Sequence, residues 1–84
     1  MGMNASVYAS AKSYGAVTKS DSTVLSFQAV YVGGAGDVAI SPSEGDSGDA
    51  VTFAGLAAGT ILPVKGRRVM STNTTATNLV WLNW

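Results

Sequence analysis

At 84 residues the chain has material for one compact domain with a thin core, and its Lys and Arg balance its Asp and Glu to zero formal net charge. It contains no Cys and no His, which excludes a disulfide framework, removes the commonest transition-metal ligand and leaves no imidazole base for catalysis. A hydrophobic fraction of 46% with only 12% charged residues is more apolar surface than so short a chain can bury alone, so association is the expected source of further stability.

Residues 1–24 are rich in Ala, Ser, Thr and Tyr without a helical stripe, and they read as an extended N-terminal arm with one strand at Ala16 to Lys19. The opening residues lack the continuous apolar stretch of a cleaved export signal. No run reaches the roughly 18 apolar residues that a membrane helix needs, so no membrane partner is expected. Residues 25–84 read as a single β domain. Phe27 to Val32 is β-branched, aromatic and apolar on both faces, which suits a strand covered on both sides. Gly33 to Asp37 then supplies a turn, and a hairpin to a return strand at Asp37 to Ile40 is predicted.

A polar loop follows at Ser41 to Gly48, and Ala50 to Ala54 resumes as a strand with Val51 and Phe53 on one side. Gly55 to Gly59 turns the chain. Strands are expected at Thr60 to Pro63 and Val64 to Met70, with Pro63 at an edge or break and Gly66 as a bulge. The last strand, Thr77 to Trp84, places Leu79 and Trp81 on one side and Val80, Leu82 and Trp84 on the other. Either it lies between two layers or its second face docks on a partner. About six short strands with Gly-rich turns and no long helical segment predict an all-β fold, a small antiparallel sandwich or barrel.

The motifs that suggest chemistry fail on context. Gly34-Ala-Gly36-Asp-Val-Ala39 matches a dinucleotide fingerprint, but the residues after it are β-like and stop at Pro42, where a helix should open. Gly45-Asp46-Ser47-Gly48 matches the surroundings of a serine protease nucleophile, yet a hydroxyl without a base is a poor nucleophile. Glu44, Asp46 and Asp49 offer oxygen ligands for Ca²⁺, but their spacing fits no EF-hand loop and a solvated turn explains them. Asn4 and Asn73 each begin a glycosylation sequon, a pattern short enough to occur by chance. No catalytic residue, cofactor or metal site is assigned.

Lys65, Arg67 and Arg68 form the sole basic cluster. With no net positive charge and no flanking aromatic to stack a base, they point away from nucleic acid and toward carboxylates of a protein partner. Tyr8, Tyr14, Trp81 and Trp84 are candidate anchors of a subunit or partner interface, because aromatics dominate such contacts. The same side chains suit a second reading, a free-standing β module that binds a peptide or glycan.

Several blocks in order carry a resemblance: Tyr31-Val-Gly-Gly-Ala-Gly-Asp-Val38, Val51-Thr-Phe53, Ala58-Gly-Thr-Ile-Leu-Pro-Val64, Arg67-Arg-Val69 and Thr75-Ala-Thr-Asn-Leu-Val80. Over roughly its last 50 residues the chain resembles the head-spike base proteins of gene transfer agents and related tailed phages. The resemblance implies a non-enzymatic structural protein of the virion, made in the bacterial host cytoplasm and located on the capsid surface. It implies a homo-oligomer, a trimer or pentamer, that contacts the major capsid protein and decorates the shell or seats a spike or fibre protein. The N-terminal arm and the polar insertion Ser43 to Asp49 depart from that pattern.

Overall fold

The computed structural model describes residues 10–42 and 49–84. Among the described residues seven strands make two antiparallel sheets packed face to face, the expected small β-sandwich. They are β1 (Ser13–Ala16), β2 (Ala29–Gly34), β3 (Gly36–Ser41), β4 (Val51–Leu56), β5 (Thr60–Leu62), β6 (Arg68–Val69) and β7 (Thr77–Asn83). One sheet has four strands in the order β1-β7-β2-β5, the other three in the order β4-β3-β6.

Register explains the core. Val30 lies opposite Trp81 and Leu62, and Val32 opposite Leu79 and Thr60, so these side chains share the inward face of the larger sheet. Val38 and Ile40 of β3, with Val69 of β6, meet them from the smaller sheet. Phe27, Ala76 and Leu79 complete the buried cluster. Val30, Val32 and Val38 are fully buried, where their β-branched side chains suit both the pleat and the dense interior.

The Gly-rich stretch after β2 is not a hairpin. β2 and β3 belong to different sheets, and Gly34, Ala35 and Gly36 form the corner where the chain crosses from one to the other. Glycine is required there because β7 starts against it. A Cβ on Gly33 would lie 2.5 Å from the Asn78 carbonyl oxygen, one on Gly34 would overlap Thr77 Oγ1, and one on Gly36 would lie 2.6 Å from the Ala76 nitrogen. The Asp37 carbonyl seals the corner by accepting from Thr75 N at 2.9 Å and Ala76 N at 3.1 Å.

The turn before β5 likewise changes sheets, with Gly59 N donating to the Val32 carbonyl at 2.7 Å. β3 and β4 do pair as consecutive strands. Their register shifts between Gly36 and Val38, where Gly55 adopts φ 71° and its N–H donates to Asp37 Oδ1 at 2.8 Å.

Two predicted strands are also displaced. Of the Val64 to Met70 run only Arg68–Val69 forms a strand. Gly66 sits in an isolated bridge with Phe27, at a point where a side chain would collide with the core. In the N-terminal segment the strand is Ser13–Ala16, three residues earlier than expected. It pairs along β7, and Gly15 lies beneath the Trp81 indole, which a Cβ would approach to 2.8 Å.

After β1, residues 17–27 cross the open side of the sandwich. Val17 N donates to the Leu79 carbonyl, Ser20 N to that of Val69 and Leu25 N to that of Arg67. Asp21 ties this crossing to the turn before β7, accepting from Ser71 N at 2.8 Å, Thr72 N at 2.9 Å and Thr72 Oγ1 at 2.6 Å. The Thr72 hydroxyl and the backbone donors hold the Asp21 carboxyl below its ordinary range.

Candidate functional site

The outward face of the four-stranded sheet is the most distinctive surface. Register places Ile61, Tyr31, Val80 and Ala16 in one row across all four strands, and Ala29, Leu82 and Tyr14 in the next. Both rows are apolar apart from the tyrosine hydroxyls. Tyr14 is 68% exposed, Ile61 47% and Tyr31 37%, while Val80 and Leu82 are half-buried. Ala29 in the second row is fully buried, so the exposed part of this face is centred on Tyr14, Tyr31 and Ile61.

The two faces of β7 therefore differ in use. Leu79 and Trp81 point into the sandwich, and Val80 and Leu82 point out of it. Trp81 is half-buried against the core and lies over Gly15, which gives it a packing role inside the sandwich. Tyr14 lies on the outer face opposite Leu82. Trp84 follows the last strand, and its backbone N–H donates to Gln28 Oε1 at 2.6 Å. Tyr8 lies outside the described residues, as do Glu44, Asp46 and Ser47.

The basic cluster divides. Arg68 is half-buried on β6, whereas Lys65 and Arg67 are exposed in the preceding turn. With Ser26, Gln28, Pro42 and Gly66 these two line an open groove of about 300 Å³. Gln28 belongs both to this groove and to the Trp84 contact, so the fold gathers Trp84, Lys65 and Arg67 at the end of the sandwich where β2 starts and β7 finishes. Tyr14 belongs instead to the sheet face, and Trp81 to the interior.

Ala16, Tyr31 and Ile61 were not legible as interface candidates. Each is unremarkable in its own strand, and only the cross-strand register lines them up with Val80. Among the described residues no three of Asp, Glu, His and Cys come together as a metal site.

Among solved structures, the chain is similar to one chain in the capsid of a native GTA (gene transfer agent) particle, computed with C5 symmetry. The TM-score is 0.74 and the sequence identity 36%, over 88% of this chain and 84% of that one. No family model and no curated protein matches. Identity at this level, sustained over nearly the full length of both chains on the same β-sandwich, means that the chain belongs to the family of that gene transfer agent capsid component.

Proposed function

We propose that the protein is a non-enzymatic structural subunit of a virion. In this reading it sits on the outer surface of a capsid in repeated copies, decorates the shell as a head-spike base does, and seats a spike or fibre where one is attached. The near full-length match to a chain of a gene transfer agent capsid carries the reading. The exposed apolar rows on the larger sheet agree with it, because an apolar face of this kind is more stable covered than wet. Binding would be mechanical and additive: each copy contributes a modest contact, and a closed set of copies multiplies it.

The test is to add purified protein to heads that lack it, sediment them and image the bound density. The expected result is saturable binding at symmetric positions on the outside of the shell, reduced at least tenfold by Tyr31→Ser with the melting temperature retained. Folded protein that stays in the supernatant at every concentration refutes the proposal.

A further inference from the structure

The sandwich has four sheet edges, and they are managed differently. The β6 edge is covered by residues 20–27 through the Ser20–Val69, Leu25–Arg67 and Phe27–Gly66 hydrogen bonds. The β4 edge carries the bulge at Gly55. Bulges and coverings are the devices by which proteins keep strand edges from pairing. Among the described residues the two edges of the larger sheet, β1 and β5, have neither, and β1 contains no Pro and no charge.

The backbone of β1 is also aimed outward. Val17 N donates to the Leu79 carbonyl in the same register that pairs Gly15 with Trp81, so residues 15 and 17 face β7. Alternation then turns the N–H and C=O groups of Tyr14 and Ala16 away from the sheet. Each open edge also presents an exposed large apolar side chain on the outer face, Tyr14 at one end and Ile61 at the other.

Resting on the structural-subunit reading, we infer that these two edges join copies of this chain to one another, β1 of one copy pairing with β5 of the next. The sheet has four antiparallel strands, so β1 and β5 run in opposite directions and meet antiparallel when copies are placed head to tail. Setting Ala16 opposite Ile61 of the next copy continues the row Ile61, Tyr31, Val80, Ala16 without a break, and Gly15 falls opposite Leu62. Pro63 follows β5 directly and has no N–H to donate, which limits the contact to a few residues. The contact uses two different surfaces, so it propagates from copy to copy, and it closes as a ring when the rotation between copies divides a full turn.

The chain has no native cysteine, which makes the test direct. Ala16→Cys and Ile61→Cys both replace exposed residues. Under mild oxidation of concentrated protein, or of protein bound to heads, the double variant should give a ladder of covalent multimers ending at the ring. Each single variant should stay monomeric on a denaturing gel. A third variant, Ala16→Pro, removes an N–H that faces outward at an edge-strand position where Pro is tolerated, and it should keep the parent's circular dichroism spectrum while losing assembly.

Dimers from Ala16→Cys alone would show a two-fold β1–β1 contact and overturn the inference. So would assembled protein whose double variant gives no ladder, or Ala16→Pro that assembles like the parent. Saturable head binding by a protein that never cross-links leaves the structural reading intact and removes this inference alone.

Discussion

Gly66→Ala tests how tightly the fold is closed at the basic turn. Gly66 exchanges hydrogen bonds with Phe27, at 3.1 Å and 3.2 Å, and this pins the turn carrying Lys65 and Arg67 to the core. A Cβ at this position would stand 2.5 Å from Phe27 Cζ and 2.6 Å from Ile40 Cγ2. Contact distances between carbons are about 3.5–4.0 Å, so roughly 1 Å of overlap must be relieved on two sides. Neither neighbour is a loose end: Phe27 is 2% exposed and Ile40 3%, and both belong to the central cluster.

Overpacking of this kind costs about 1–3 kcal/mol. At about 4–8 °C per kcal/mol for a domain of this size, a melting temperature lowered by roughly 10 °C is expected. Thermal melts followed by circular dichroism at one fixed protein concentration would measure it, the concentration being held because association also shifts the midpoint. Phe27→Leu shortens the obstructing ring, so the double variant Phe27→Leu, Gly66→Ala should lose less than the sum of the two single changes. A Gly66→Ala protein that melts within about 2 °C of the parent, or strictly additive losses, would refute the packing argument.

Gly34→Ala should be destabilising because its methyl group runs into Thr77 Oγ1. Adding Thr77→Ala should recover much of the loss, since the remaining Thr77 Cβ lies 3.3 Å away, and urea titration reads both. At Gly55 no atom lies within 4 Å of an added Cβ, so Gly55→Ala should cost only the left-handed φ of 71°, about 1–2 kcal/mol in the same titration. Asp21→Asn weakens an acceptor whose carboxyl is held below its ordinary range by the Thr72 hydroxyl and by the Thr72 and Ser71 backbone. The parent's advantage is therefore fully present above the unfolded value, about 3.9, and is lost as pH falls through the lower folded value. Melting curves should show the gap between parent and Asp21→Asn narrowing below about pH 4, and a gap that persists at lower pH would contradict this.

Much of the fold could be read from single residues and short patterns. The runs of strand-favouring residues Phe27 to Val32 and Thr77 to Trp84, and the regular Gly punctuation, lead to an all-β domain. They do so because propensity and turn chemistry are local properties. The two-sided character of β7 was legible for the same reason, as alternation puts Leu79 and Trp81 on one face and Val80 and Leu82 on the other.

The sequence did not show where each glycine cluster sends the chain. A glycine that closes a hairpin and one that lets two sheets meet have the same local signature, and Gly34 and Gly36 are told apart from a hairpin only by Thr77 and Ala76 lying against them. Nor could it show that Ser13–Ala16 is a sheet edge, since that strand is held by pairing with β7 and by Trp81 over Gly15, not by its own composition. The apolar rows through Tyr31, Val80, Ile61 and Ala16 depend on the register of strands far apart in the chain. Composition had already shown more apolar surface than so short a chain can bury; only the tertiary structure decided which face and which edges carry the excess.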